Sequence, residues 1–213
     1  MSEALSSPSP TKGKNRAASI NSDPYRRSTA PGESAGMVDK FIMEMVDLLV
    51  SDNVLVREVV KETLGADLSP GLFVILFRHL ESVLSRCFDA TGEAICSERY
   101  TLFVEQAISV LKLVLDRIVD PSDSLFTVDF SGLINQYAMY LNKLGTNHVA
   151  LRIKVKMCQL CEVLMSKKDH ITLRQEIKLR NKLLEIIVEW TSDFSLVRIP
   201  RIHSSHFIIC LIN

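Results

Sequence analysis

Cys158 and Cys161 are the residues whose type and spacing come closest to a reactive site, because Cys-x-x-Cys is half of a common zinc-binding pattern. A structural zinc ion needs four ligands, and the nearest histidine, His170, has no second cysteine pair beside it. The pair also lies in a long apolar stretch, without the Gly or Pro turn of a zinc knuckle. We therefore predict two buried thiols that act as small hydrophobic side chains, and no cofactor; a metal or redox role is the alternative.

Carboxylates on one segment are the second group that could do chemistry, as a general acid and base. They are Glu98, Glu105, Asp116 and Asp120. Such catalysis needs a carboxylate pair that flanks a cleft, whereas this spacing is typical of the solvated face of a helix. The chain also contains no P-loop, no G-x-S-x-G and no H-E-x-x-H pattern, and it has only 8 glycines. We expect no catalytic residue in this sequence.

Basic residues are concentrated in the last third of the chain. Residues 150–201 carry eleven basic and six acidic side chains, whereas residues 37–149 carry nine and sixteen. The basic residues on the predicted helices are Arg152, Lys154, Lys156, Lys167, Lys168, Arg174, Lys178, Arg180 and Lys182. Lys plus Arg equals Asp plus Glu over the whole chain, and aromatic residues do not interleave with this stretch, so nucleic acid is not expected as a partner.

A docking surface for the acidic body of the chain, or for another domain, is one interpretation of these residues. Its candidates are Lys167, Lys168, Arg174, Lys178 and Lys182. An ordinary solvated helix face is the alternative, since attractive and repulsive pairs four residues apart both occur there.

The first 36 residues are rich in Ser, Pro and Gly and nearly free of large aliphatic side chains, so residues 1–36 are predicted to be disordered. Basic residues stand just before Ser19, Ser28 and Thr29, and they make these hydroxyls candidate phosphorylation sites. A plain solvated linker is the alternative.

From Met37 onward the apolar residues follow the helical period, and residues 37–194 are predicted to be an all-α scaffold of about seven helices. The predicted helices are 38–51, 54–64, 70–88, 98–119, 130–144, 147–167 and 172–191. Asp52 or Asn53 is predicted to cap the second helix, Gly65 to end it, and Ser69 to cap the third. The predicted apolar stripes are Phe41, Ile42, Met45, Val46 and Leu49 in the first helix and Phe103, Ala107, Val110, Leu111, Val114 and Ile118 in the fourth. Successive helices of this length with short breaks are typical of an α-solenoid of the armadillo or HEAT type; an irregular helical bundle is the alternative. No apolar run reaches the roughly 18 residues that a membrane span needs.

Two helices near the end of the scaffold carry apolar residues that predict how they pack. In the sixth helix, one stripe runs through Ile153, Met157, Leu160 and Leu164 and a nearly opposite one through Leu151, Val155, Cys158 and Met165, which predicts a neighbour on each side. In the seventh helix, the residues predicted to pack on other helices are Ile177, Leu184, Ile187 and Trp190. Asn181 lies beside that stripe, as a buried amide or as a contact to a partner.

Three stretches carry a resemblance to a known family. They are "VREVVKETLGADLSPGLFVILFRHLESVLSRCFD", "TLFVEQAISVLKLVLDR" and "LRIKVKMCQLCEVLMSKKDHITLRQEIKLRNKLLEIIVEW". They closely resemble the helical region just before the GAP-related domain of neurofibromin and its fungal Ira-type relatives, which are very large cytosolic Ras GTPase-activating proteins. The similarity covers roughly residues 37–194 and is strongest in residues 152–190.

The resemblance implies a non-catalytic scaffold segment of a negative regulator of Ras signalling. In the family, the arginine finger that accelerates GTP hydrolysis lies in the GAP-related domain, and no residue of this chain matches it. The implied partners are the remainder of such a protein, including its GAP domain, and a Ras-family GTPase through that domain alone. The implied location is the cytoplasm, at the membrane periphery in the full-length protein. A stand-alone helical interaction module is the alternative function.

Residues 195–213 lose the helical period and end in a bare apolar run, so an irregular tail is predicted. The codons for Val197 and the two residues after it permit a splice donor, and we expect the residues from about 197 onward to be translated intron. A genuine flexible tail is the alternative.

Overall fold

A computed structural model describes residues 31–118, 125–168, 171 and 176–194. The described residues form seven α-helices, which are α1 (Pro31–Leu48), α2 (Val54–Glu62), α3 (Phe73–Ser85), α4 (Glu98–Arg117), α5 (Phe130–Leu144), α6 (His148–Ser166) and α7 (Glu176–Phe194). They contain no strand, and the single β-like contact in the described part is an isolated bridge between Phe88 and Ala94. The prediction of an all-α chain with seven helices is confirmed.

The first helix begins at Pro31, seven residues before the predicted start at residue 38. The predicted disordered segment, residues 1–36, is therefore wrong for its last six residues, and residues 1–30 lie outside the described part. Proline is favoured at the first helical position because its missing N–H would have no partner there. The apolar period begins only at Met37, so it does not indicate the start of the helix at Pro31.

Side-chain caps fix the beginnings of several helices where the sequence places Ser, Asp or Asn. The Asn53 side chain accepts a hydrogen bond from the Leu55 N–H at 2.9 Å and begins α2, as predicted. Ser97 begins α4 in the same way and accepts from Tyr100. Ser69, the predicted cap of α3, makes no side-chain cap bond, because a 3₁₀ turn over Pro70–Leu72 comes first and α3 begins only at Phe73.

Gly65 does not end α2 as predicted, because the chain continues in one π-helical turn over Thr63–Asp67. This turn packs against α4, and a Cβ at Gly65 would lie 2.6 Å from the Cβ of Leu113. Only a glycine permits this close approach. The Arg117 guanidinium, on the last turn of α4, donates to the Leu68 carbonyl at 3.0 Å and satisfies the end of the turn.

The helices contact one another in a regular order. Helix α1 contacts α3, α2 contacts α4, α4 contacts α6, and α5 contacts α7. Within neighbouring pairs, α1 contacts α2, and α5 contacts α6. Phe77 of α3 meets Phe130 at the start of α5 edge to face, with ring centroids 5.3 Å apart. Stacked contacts therefore join α1 to α3, α2 to α4, α4 to α6 and α5 to α7, so that α4 lies between α2 and α6.

Helix α4 is the most deeply buried element, and every residue of its predicted apolar stripe is buried. These residues are Phe103, Ala107, Val110, Leu111, Val114 and Ile118. In α6, the first predicted stripe is fully buried, whereas Val155 on the second stripe is 43% exposed. The second face of α6 is therefore covered only in part.

The predicted packing face of α7 is partly wrong. Ile187 and Trp190 are buried as predicted, but Ile177 is 74% exposed. The buried residues of α7 are Leu179, Leu183, Ile186, Ile187 and Trp190. Asn181 is exposed, so of its two predicted roles the buried amide is wrong and the contact to a partner stays a prediction. Two overlapping apolar stripes run along this helix, and the neighbouring helix α5 covers only one of them.

Within the described residues, no helix combines the length and apolar character that crossing a membrane requires.

Candidate interaction surface

A charged cluster joins α4 to α6 and uses residues that the sequence assigned to solvent. Glu105 is buried, with 6% of its surface exposed, and each of its carboxylate oxygens accepts one bond from α6. Arg152 Nη2 donates to Oε2 at 2.7 Å, and Lys156 Nζ donates to Oε1 at 2.8 Å. The prediction that Glu105 lies on a solvated face is wrong, because α6 covers this side of α4.

The balance of forces on the Glu105 carboxyl keeps it ionised. Burial by itself raises its pKa, but the hydrogen bonds and charges of Lys156 and Arg152 outweigh that effect, and the pKa is lowered below the ordinary value of 4.5. The cluster therefore holds one negative charge between two positive ones. Arg152 and Lys156 stand four residues apart on one face of α6, but no local pattern marks Glu105 as their acceptor.

A second contact of the basic stretch lies where α5, α6 and α7 meet. Lys154 is 2% exposed, and its ammonium nitrogen lies 5.2 Å from the centroid of the Trp190 ring. The Trp190 indole nitrogen donates to the Asn142 side-chain oxygen at 2.6 Å. Lys154 and Trp190 thus hold α7 against the rest of the fold, and Lys154 does not belong to a solvated face.

The predicted docking residues lie in different environments in the structure. Lys167 donates to the Ile118 carbonyl at 2.6 Å and ties the end of α6 to the end of α4. Lys168, Lys178 and Lys182 are exposed, and Arg174 lies outside the described residues. The candidate phosphorylation sites Ser19, Ser28 and Thr29 also lie outside them.

The exposed residues of the predicted docking surface that the structure describes on α7 lie beside an exposed apolar residue. The residues concerned are Ile177, Lys178, Asn181 and Lys182, all exposed. Residues four apart lie above one another on a helix, so Ile177 stands over Asn181 and Lys178 over Lys182. This arrangement suits an apolar side chain of a partner with acidic groups beside it. We call these four residues the α7 surface.

The two cysteines of the Cys-x-x-Cys pair lie in the packed part of α6. Cys161 is buried and Cys158 is half-buried. Burial raises the pKa of the Cys158 thiol to about 12, and it raises the pKa of Cys161 as well. Both are therefore protonated thiols with little nucleophilic character near neutral pH. Within the described residues, no group of three or more His, Cys, Asp and Glu side chains could hold a metal ion.

A cleft lies between α1, α3 and the first turn of α4. Its two adjoining parts have volumes of about 340 and 270 Å³ and share Val46, Asp47, Val83 and Arg86. Arg99 and Tyr100 of α4 line the larger part. The walls carry charges of both signs, and His79 and Ser82 of α3 line the smaller part. The His79 Nε2 atom lies 3.1 Å from the Asp39 carboxylate of α1.

No protein-family model matches the chain.

Proposed function

We propose that this chain is the helical scaffold segment of a neurofibromin- or Ira-type Ras GTPase-activating protein, lying directly before its GAP-related domain. What supports the proposal is the resemblance in residue order, spacing and charge that residues 152–190 bear to that family. In the fold this stretch forms most of α6 and α7 with the connection between them. It contains both Lys154 and Trp190, which lie face to face at the junction of these helices. The resembling stretch therefore includes both sides of a structural contact.

An armadillo- or HEAT-like α-solenoid is the arrangement that we propose for residues 37–194. Solenoids of helical pairs stack so that each helix meets its equivalent in the next layer. The contacts of α1 with α3, α2 with α4, α4 with α6 and α5 with α7 follow that order. Two columns of helices, odd-numbered and even-numbered, account for them. This order of contacts supports a layered stack over an irregular bundle.

In this proposal the chain positions the GAP domain and takes no part in the chemistry. GTP hydrolysis on Ras is accelerated by an arginine finger that stabilises the charge of the transition state. No residue here matches that finger, so the catalytic arginine belongs to the domain that follows. The whole protein would act in the cytoplasm, at the membrane periphery, as a negative regulator of Ras. Ras would bind through the GAP domain alone.

Two measurements test the proposal together. Deleting the gene in its host is expected to raise the GTP-bound fraction of Ras, and an unchanged fraction would contradict the proposal. The purified 213-residue chain, added to Ras loaded with GTP, is expected to leave the slow intrinsic hydrolysis unchanged. Robust stimulation would overturn the assignment of catalysis to another domain. Sequencing the mature transcript across the codons for Phe194–Pro200 decides whether the reading frame continues into that domain.

A stand-alone interaction module is the second candidate, favoured by the α7 surface, where Ile177 is 74% exposed next to the exposed Lys178. In this case the chain would hold a partner through Ile177, Lys178 and Lys182. Replacing both Lys178 and Lys182 by Gln is expected to weaken the binding of such a partner. Lys112→Gln is the matched control. Lys112 lies on α4, away from the α7 surface, and pairs there with Asp116 of the same helix.

A further inference from the structure

The larger part of the cleft between α1, α3 and α4 is lined by apolar side chains. Val50, just after α1, and Val83 of α3 are half-buried in it, and Val46 and Phe103 line it as members of the buried core. Phe41, predicted to share the core stripe with Val46, is 55% exposed, so that prediction is wrong. Val50 and Val83 thus present apolar surface to a ligand, with packed side chains beside them.

Two arginines without a partner line the same part of the cleft. Arg86 directly follows α3 and Arg99 lies on α4, and both side chains are exposed. Among the described residues, neither makes a hydrogen bond or an ion pair. By contrast, Arg78 and Arg152 are bonded to carboxylates and Arg117 to carbonyl oxygens. The two guanidinium groups at the cleft therefore remain available for an anion.

Arg99 occupies a helix position that disfavours a cation. It lies in the first turn of α4, a helix of 20 residues, where the partial positive charge of the helix N-terminus favours acidic side chains. Glu98, the acidic residue of that turn, does not pair with it, because adjacent residues on a helix point in different directions. A position that breaks a local rule without compensation inside the fold is typical of a binding site.

The dimensions of the cleft suit a short stretch of extended chain. Along α3 it runs from His79 to Arg86, seven residues or about 10 Å, which is the length of about three residues of a β-strand. Its parts, of about 340 and 270 Å³, are near the lower end of the roughly 300–1,000 Å³ of ligand pockets. Asp47 lines both parts and is exposed, so its carboxylate can accept a backbone N–H of such a segment.

From the two unpaired arginines beside apolar surface, we propose that this cleft binds an extended segment of a partner protein in which an apolar residue stands next to Asp or Glu. The apolar side chain packs on Val50 and Val83, and the carboxylate accepts from Arg86 and Arg99. Charge complementarity decides the choice, since a basic segment would meet two unpaired cations and only one carboxylate, that of Asp47. This proposal does not depend on the proposed role in Ras regulation.

Titration of the isotope-labelled full chain with two matched peptides, followed by NMR chemical shifts, is the test. The peptides are acetyl-Ser-Leu-Glu-Ser-amide and acetyl-Ser-Leu-Gln-Ser-amide, which differ in one charge. We expect the Glu peptide to bind with a Kd of about 1 mM, because the contact is small, and the Gln peptide to bind about tenfold more weakly or less. The amides expected to shift are those of residues 83–86 and 97–100.

Substitutions at the two arginines test their part in this binding. Arg86→Gln and Arg99→Gln are each expected to weaken the Glu peptide about tenfold and to leave the Gln peptide unchanged. Lys112→Gln is the matched control, because it removes the same charge from α4 three turns beyond Arg99 and is expected to leave both peptides unchanged. Circular dichroism of each variant checks that the fold is intact.

Each opposing result has a definite meaning. No saturable shift up to about 10 mM of the Glu peptide overturns the proposal, and so does equal binding of the two peptides. Shifts that map to the α7 surface instead of the cleft also overturn it, as does equal weakening by Lys112→Gln and Arg99→Gln. If phenylacetate, an apolar ring with a carboxylate, binds more tightly than the Glu peptide, the cleft is a site for small organic acids and the assignment to a peptide segment is wrong.

Discussion

Replacing Glu105 by Gln tests whether the charged cluster between α4 and α6 stabilises the fold. The substitution keeps the size of the side chain but removes the charge that two donors share, at 2.7 and 2.8 Å. A hydrogen bond to a charged group contributes about 1.5–3 kcal/mol, but Arg152 and Lys156 retain access to water when Glu105 is neutral. We therefore expect a loss of about 2 kcal/mol in the free energy of unfolding, or about 4–8 °C in Tm.

Asp116→Asn is the matched control on the same helix. Asp116 pairs with Lys112 at 2.7 Å, but both side chains are more than one-third exposed and four residues apart. Such a surface pair contributes only about 0.3–0.5 kcal/mol. Urea unfolding monitored by circular dichroism measures both variants. If Glu105→Gln costs no more than Asp116→Asn, the cluster does not stabilise the fold and our account of it is wrong.

The stability difference between the unmodified chain and Glu105→Gln is expected to change with pH in a definite direction. Because the folded-state pKa of Glu105 lies below its ordinary value of 4.5, the carboxylate contributes its full stability above that value. The contribution is lost as the pH falls through the lowered folded-state pKa. The stability gap between the unmodified chain and Glu105→Gln is therefore expected to be constant near neutral pH and to close in acid. A gap that widens in acid would contradict the lowered pKa.

Three further predictions concern packing and thiol reactivity. Gly65→Ala is expected to lower stability by about 1–3 kcal/mol in urea unfolding, because the added methyl group collides with α4. Asn142→Ala is expected to shift the fluorescence of Trp190, the single tryptophan, to longer wavelength and to cost about 1–2 kcal/mol, since the indole N–H loses its partner. In native protein, Cys161 is expected to be alkylated far more slowly than the exposed Cys96, as measured by peptide mass mapping.

Each of these predictions has a control or an opposing result. Gly71→Ala adds the same methyl group where nothing lies within 4 Å, so it is expected to be nearly neutral. Unchanged Trp190 emission in Asn142→Ala would mean that the indole does not depend on this bond. Equal alkylation of Cys161 and Cys96 in folded protein would contradict the packing of α6.

The sequence predicts helices well where one apolar stripe dominates and poorly where two compete. In α4, every predicted stripe residue is buried, because the neighbours α2 and α6 cover most of the helix. In α7, Ile177 and Leu179 both fit a helical period, and only the position of α5 decides that Leu179 is buried. The period of a stripe is a local property of the sequence. The choice between stripes depends on the fold.

The role of Glu105 could not be predicted for a related reason. Its donors lie 47 and 51 residues further along the chain, and nothing local indicates which acidic residue α6 will cover. Lys178 and Lys182 of the α7 surface are exposed, and their role in docking stays a prediction. Its apolar residue Ile177 was assigned to the core instead. Long-range contacts decide which charges of a sequence are available to partners.

Several basic residues make contacts within the chain, and this limits the charges that remain for a partner at α7. Arg152 and Lys156 are paired with Glu105, Lys154 lies against Trp190, and Lys167 binds a carbonyl, so the positive balance of the last third is not a free basic surface. What α7 presents is Ile177 with two lysines beside it. A partner is then held mainly by apolar burial, which salt hardly weakens, and the lysines set its orientation. Strongly salt-dependent binding at α7 would argue against this order of contributions.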